Sequence, residues 1–228
     1  MRPHAEDLLL TLEQKVDPAH AALVLVDVQN DFLADGGFFA QVGVDVAAMR
    51  AALAPLPGLL ERARQAGLLV VFIQAIYDAE YLSGPMLERN RRCGLEVPRC
   101  QTGSWGADFW TVRPRAGEPI VIKHRYSAFA NTDLHALLQQ RSIRSLLLTG
   151  ATTDVCVEST ARDGYFLDYY VTMVADCCAA ATAQWHRDAL EGCARDFGTV
   201  ATAAEIVAAW ERLGALPPPT LTAPRSDA

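Results

Sequence analysis

The chain contains no apolar run long enough to cross a membrane. Its most membrane-like stretch, residues 21–28, is interrupted by Asp27 and falls far short of the roughly 18–20 apolar residues a spanning helix needs. It also lacks a surplus of positive charge, carrying 20 Lys and Arg against 27 Asp and Glu for a formal net charge of −7. No global basic field is available to hold a phosphate backbone, so neither nucleic acid nor a membrane is an expected partner. No charged-then-apolar secretory segment opens the chain. Without such a leader, and with an aliphatic-rich composition that needs no staples, the six cysteines (Cys93, Cys100, Cys156, Cys177, Cys178 and Cys193) are expected to be mostly reduced thiols of a cytoplasmic protein.

What is present is a chain of 228 residues, 51% hydrophobic, which suits one large domain. Short, continuous Val- and Leu-rich runs at residues 21–27, 68–74, 119–123, 145–150 and 170–175, with a weaker one at 198–201, fit strands buried on both faces. Helical spacing fills the intervals 45–66, 132–142, 155–167, 183–197 and 203–213; Asn131 or Thr132 offers an N-cap for the second of these. Alternation of strand and helix predicts an α/β fold, a parallel sheet with helices on both faces and ligand sites at the carboxyl ends of the strands. Residues 1–20 read as a surface arm, 21–213 as the domain, 77–111 as a long loop or lid excursion and the proline-rich 214–228 as a flexible tail.

Three polar residues fall where apolar runs end: Asp27, Lys123 and, at the start of the next helix, Cys156. Singly, each has a bland explanation as a cap, a solvated strand end or a small buried hydrophobe. Together they have a chemical logic. A thiolate is the nucleophile that a helix N-terminus and a nearby cation favour, and a carboxylate can take its proton and return it to a leaving amine. Gly150 and the small run Ala151-Thr152-Thr153 would let backbone N–H groups approach a developing oxyanion.

The segments Val-Asp-Val-Gln-Asn-Asp-Phe (26–32), Ile-Lys-His-Arg-Tyr-Ser-Ala-Phe (122–129) and Thr-Gly-Ala-Thr-Thr-Asp-Val-Cys-Val-Glu-Ser-Thr (149–160) closely resemble the isochorismatase-like cysteine hydrolases, in order and over about residues 20–211. The resemblance implies a Rossmann-like three-layer α/β sandwich with a six-stranded, mostly parallel sheet and a catalytic triad falling on Asp27, Lys123 and Cys156. It implies assembly as a homodimer or homotetramer. Metal-binding members carry an Asp-x-His and a further His after the second strand; here that place reads Gln74-Ala75-Ile76-Tyr77-Asp78, and His4, His20, His124, His135 and His186 never show the spacing, so neither a metal nor any other cofactor is expected. Residues 125–132 and 156–170 look most like ureidoacrylate amidohydrolases, with biuret, triuret and N-carbamoylsarcosine hydrolases as close relatives. Ala75 and Ile76 depart from that pattern, where a polar Asn and a Gly would stand.

The resulting expectation is a cysteine-dependent amidohydrolase that cleaves a C–N bond of a small ureido or carbamoyl compound with water and releases ammonia through a Cys156 thioester. N-carbamoyl amino acid amidase, metal-assisted amidase and non-catalytic scaffold are the alternatives. Thr152 and Thr153 are candidates for the oxyanion region, and Gln29, Phe32 and Tyr126 for the substrate wall; Arg125, Glu80 and Trp105 are weaker candidates for reading a ureido or carboxylate group. Glu158 and Arg162 read as a helix ion pair, and Cys177 and Cys178 as packing residues. One tension stands in this picture. With strand order 3-2-1-4-5-6, Lys123 starts two strands from Asp27, roughly 10 Å at about 4.8 Å per strand.

Overall fold

Continuous apolar runs become interior strands because a parallel sheet covered by helices can bury both of their faces. The computed structural model describes residues 8–216. Strands β1 (Ala21–Val26), β2 (Leu69–Ala75), β3 (Ile120–Lys123), β4 (Ser145–Ala151), β5 (Tyr170–Ala179) and β6 (Thr199–Ala201) form one sheet in the order β3-β2-β1-β4-β5-β6, with every neighbouring pair parallel. The helices are α1 (Leu12–Val16), α2 (Asn30–Leu33), α3 (Phe38–Gln41), α4 (Val46–Ala52), α5 (Leu56–Gln65), α6 (Gly84–Arg92), α7 (Leu134–Gln140), α8 (Glu158–Phe166), α9 (Ala183–Asp196) and α10 (Ala203–Arg212).

The alternation of β1 divides the core in two. Leu23 and Leu25 pack with Leu59, Leu60, Ile206 and Trp210 from α5 and α10, whereas Ala22, Val24 and Val26 pack with Leu134, Leu138, Val157 and Ala161 beneath α7 and α8. All six β1 residues are buried. This central strand therefore carries both interfaces of the sandwich, and its carboxyl end emerges between them at Asp27.

Several boundaries differ from the sequence pattern for identifiable reasons. The helix expected over 45–66 is two helices, because Pro55 stands at the N-cap of α5 and interrupts the ladder. Helix α7 begins at Leu134 after Asp133, which makes no side-chain cap; the Thr132 hydroxyl instead accepts the Leu134 N–H at 3.3 Å, and Asn131 occupies a left-handed turn. The described part of the N-terminal arm is integrated into the domain. A Thr11 capping box starts α1, Val16 is fully buried, and the Trp210 indole donates to the Val16 carbonyl at 2.7 Å. The 77–111 excursion contains α6 and 3-10 turns at Ala79–Tyr81 and Trp105–Ala107, so it is folded over the strand ends and not a bare loop. Of the expected tail, Leu216 packs into the core, and residues 217–228 lie outside the described residues. No helix among the described residues is long and apolar enough to cross a membrane.

Candidate active site

The site grows out of the carboxyl ends of β1, β3 and β4. At the end of β1 the chain turns through Asp27 with φ 52°, a left-handed conformation that Asp tolerates better than most side chains. Its N–H still donates to the Ile73 carbonyl of β2 at 3.2 Å, which ties the turn to the neighbouring strand. On β4, Gly150 sits opposite Val26 with φ 113°; any Cβ there would collide with the Val26 carbonyl. Glycine is thus required for β1 and β4 to stay paired where the nucleophile loop departs.

That loop crosses a cis Ala151–Thr152 peptide and enters a π-helical turn, Thr153–Val157, which leads directly into α8. Cys156 lies inside this turn and is 7% exposed. The Thr152 carbonyl accepts the N–H groups of Val155 and Val157 at 3.1 Å each, so those two donors are spent within the turn. The Thr153 hydroxyl pairs with His186 Nδ1 of α9 at 2.9 Å, anchoring the start of the turn to a helix on the same face of the sheet.

Lys123 crosses the gap that strand order imposes. Its ammonium lies 2.7 Å from Asp27 Oδ2, with both side chains fully buried, and donates to the Arg125 carbonyl at 3.0 Å. Ala75 is the β2 residue in register with Lys123, and its lone methyl leaves the lysine stem room to pass over the intervening strand. Neither Asp27 oxygen accepts a well-aligned hydrogen bond. An ion pair with spare lone pairs on its acceptor is poised to take a proton.

The electrostatics follow from burial. Desolvation raises the Asp27 carboxyl above its ordinary range, opposed by Lys123 and by interaction with Cys156. Burial also pushes the Cys156 thiol up to about 12, with Lys123 opposing the rise and Asp27 adding to it. Burial alone would lower Lys123, but Asp27, then Cys156 and Tyr77, outweigh it and hold the ammonium charged well above the usual lysine range. In so dry a cluster the favoured states are those with no net charge. Lys123 ammonium with Asp27 carboxylate and a neutral thiol is one; Lys123 ammonium with protonated Asp27 and a thiolate is the other. A proton passing from sulfur to carboxylate interconverts them without creating net charge.

The other candidates separate into site and scaffold. The Gln29 amide is fully buried and committed to backbone: its nitrogen donates to the carbonyls of Ala75 (3.0 Å) and Ala107 (2.9 Å), and its oxygen accepts the Ala75 N–H at 2.8 Å. It is therefore placed as a brace joining β1, β2 and the 105–109 segment, not as the substrate contact expected. Phe32 packs edge-to-face on Phe39 at 5.1 Å and belongs to the core beside Val28 and Tyr77. Tyr126 is half-buried against the α7/α8 core. Arg125 spends its guanidinium on the Tyr81 and His124 carbonyls, Glu80 is exposed, and Trp105 is an exposed rim residue whose carbonyl accepts from Asn30 at 2.7 Å. Glu158 and Arg162 form the expected ion pair, and Cys177 and Cys178 are buried in the core. Among the described residues no three His, Cys, Asp or Glu side chains converge to hold a metal ion.

Tyr77 lies beside these groups, although the sequence pattern did not single it out. It follows β2 directly, is almost completely buried and feels the charges of Lys123, Cys156 and Asp27. A signal was available: it directly follows β2, at the carboxyl end of a parallel strand, where such sheets place their ligand sites. A prominent concavity, by contrast, is remote from this chemistry. A groove of about 1010 Å³ lies at the amino ends of β5 and β6, lined by Tyr165, Phe166, Tyr169 and Phe197 among others.

A parallel sheet with a buried carboxylate-ammonium pair and a thiol gathered at one rim is a candidate hydrolase site on an α/β fold. The chain belongs to the isochorismatase family, whose domain model matches residues 21–205. Ureidoacrylate amidohydrolase RutB from Enterobacter sp. (strain 638) is 34% identical over 204 residues, covering 82% of this chain and 88% of that protein. The protein of the same name from Serratia proteamaculans (strain 568) is 34% identical over 205 residues, covering 82% of each. Among solved structures, a cysteine hydrolase from Pseudomonas syringae pv. phaseolicola 1448A superimposes with a TM-score of 0.75 at 28% identity, covering 87% of this chain and 95% of that one. N-carbamoylsarcosine amidase from Thermoplasma acidophilum superimposes with a TM-score of 0.66 at 27% identity, covering 81% and 96%.

Proposed function

We propose that the protein is an amidohydrolase that cleaves the carbamoyl C–N bond of a small ureido compound by nucleophilic attack of Cys156. The observation that carries this reading is the fully buried Lys123–Asp27 pair at 2.7 Å, whose carboxylate has no well-aligned donor and interacts with the Cys156 thiol. Asp27 takes the proton from Cys156, and the thiolate attacks the carbonyl carbon. Backbone N–H groups of the 152–156 turn other than that of Val155, which is already bonded to the Thr152 carbonyl, hold the oxyanion, with Thr152 and Thr153 shaping it. The tetrahedral adduct collapses by breaking the C–N bond, and ammonia leaves with the proton held on Asp27. Water then attacks the thioester, passing a proton through Asp27 back to sulfur, and releases a carbamate. Lys123 keeps its charge throughout and compensates whichever of Asp27 and Cys156 is ionised.

Ureidoacrylate is the first substrate to try, given the two 34% identical relatives of that name. Biuret and triuret share the reactive group, and N-carbamoyl amino acids are the second reading, favoured by the structural likeness to N-carbamoylsarcosine amidase. The deciding experiment is an ammonia-release screen over these compounds and nicotinamide, with Cys156→Ala as control and with iodoacetamide and chelator as inhibitors. Release abolished by alkylation and by Cys156→Ala supports the thiol mechanism. Full activity of Cys156→Ala, or loss of activity with chelator alone, would overturn it.

A further inference from the structure

Tyr77 directly follows β2, beside the strand end that carries Lys123. Two residues before it, Ala75 pairs with Lys123 across the sheet, and the Ile76 N–H donates to the Lys123 carbonyl at 2.9 Å, so the chain reaches Tyr77 directly from the strand end that flanks the triad. Its backbone N–H is used by the Cys100 carbonyl at 3.0 Å and its carbonyl by the Gln101 amide at 2.8 Å. These bonds leave the main chain no freedom to swing. The ring is held as well, with the Arg99 guanidinium 5.3 Å from its centroid and 4.9 Å from that of Phe38. Arg99 in turn is fixed by Asn90 Oδ1 at 3.1 Å and the Leu95 carbonyl at 3.4 Å, both neutral oxygens.

The phenol at the end of this rigid mounting is unspent. Among the described residues no group hydrogen-bonds to the Tyr77 hydroxyl. Nor is it one of the sealed oxygens without a partner, which are those of Asp27, Asp154 and Thr172, so it opens onto space that water can enter. A nearly buried tyrosine whose hydroxyl has no hydrogen-bond partner, and which feels the charges of Lys123, Cys156 and Asp27, is a donor awaiting an acceptor. Desolvation keeps the phenol protonated and able to donate. Arg99, beside the ring and bonded only to neutral oxygens, favours an acceptor that is negative or strongly polarised.

We infer that the Tyr77 hydroxyl is a substrate-binding group of this site, donating a hydrogen bond to a carboxylate or second carbonyl that the substrate carries beyond its scissile carbon. This rests on the ureido-hydrolase reading and deepens it by naming the acceptor-bearing subclass. Ureidoacrylate and N-carbamoyl amino acids offer a carboxylate, biuret offers a second carbonyl, and methylurea offers neither.

The test compares kcat/KM for ammonia release by the unmodified enzyme and Tyr77→Phe on ureidoacrylate, biuret and methylurea, with circular dichroism to establish the fold. Loss of the hydroxyl should cut the preference for ureidoacrylate over methylurea about tenfold or more, and that for biuret by less, since hydrogen bonds to charged groups are the stronger. A parallel titration reads binding alone: ureidoacrylate should bind Cys156→Ala about tenfold more tightly than Cys156→Ala combined with Tyr77→Phe. An equal fall on all three compounds with no change in affinity would make Tyr77 a structural residue and overturn the inference. No fall at all would do the same. Ammonia release by the unmodified enzyme from none of the panel would overturn the functional reading itself and the inference with it, a result distinct from failure of Tyr77→Phe alone.

Discussion

The two ends of the sheet differ in what they bury. At the amino ends of β5 and β6, a groove of about 1010 Å³ is walled by aromatic rings, with Phe166 72% exposed, and its ionic groups sit at the surface, as in the Arg195–Asp196 pair. At the carboxyl ends of β1, β3 and β4 an ammonium and a carboxylate lie at 0% exposure beside a thiol. The difference teaches that the cost of burying charge marks a candidate site more sharply than the presence of a groove does. A groove can form wherever side chains stand apart, whereas a dry ion pair persists only where neighbours over-determine it.

Substitutions at the two ends should break or sharpen this contrast. The largest effect is expected for Cys156→Ala, which should reduce ammonia release by about four orders of magnitude while leaving the denaturation midpoint nearly unchanged, as read by a coupled ammonia assay and urea melts. Lys123→Met should leave Asp27 buried without a counter-ion and destabilise the fold by about 3–5 kcal/mol; adding Asp27→Asn should recover much of that stability but none of the activity. Recovery of both would show that the pair is scaffold alone. Gly150→Ala forces a Cβ against the Val26 carbonyl at a positive φ, and a loss of at least about 2 kcal/mol is expected in the same melts.

The pH profile sharpens the comparison further. Because burial raises Asp27, the carboxylate base is lost as pH falls through a value above the ordinary aspartate range near 3.9, so the acid limb of kcat/KM should lie above that range. With the thiol pushed up to about 12, inactivation of the resting enzyme by iodoacetamide should keep accelerating through pH 9 without a plateau. A plateau near pH 7 would mean that the thiolate is the resting form. The smallest effect belongs to the other end: Phe166→Ser should change kcat/KM by less than about twofold and stability by about 0.5 kcal/mol or less. A large loss of activity would give the groove a role in the chemistry.

Much of this architecture is legible in the residues. The run Ala-Ala-Leu-Val-Leu-Val before Asp27 could be only a doubly buried strand, and the alternation with helical segments left few topologies besides a parallel sheet. Boundaries were less legible where proline or short turns intervene, as at Pro55 and in α2 and α3, because four-residue helices carry no period to read. At the site, Asp27, Lys123 and Cys156 stood out because polar residues closing apolar strands are costly to bury. The backbone bonds of Gln29 and the surroundings of Tyr77 were illegible for a common reason. A residue type tells which bonds it can make, and only the neighbours decide whether those bonds are already spent.

By itself the sequence determined the strand-helix alternation, the rim on which the polar groups gather and the family resemblance, because periodicity and motif are local properties of the chain. The tertiary structure decided what depends on contacts between distant segments. A lysine two strands away closes to 2.7 Å from Asp27 across Ala75, Gln29 is consumed as a brace, and the Tyr77 hydroxyl is left open. The physical reason is that hydrogen-bond satisfaction and desolvation are properties of a packed neighbourhood, and no spacing along one chain encodes them directly.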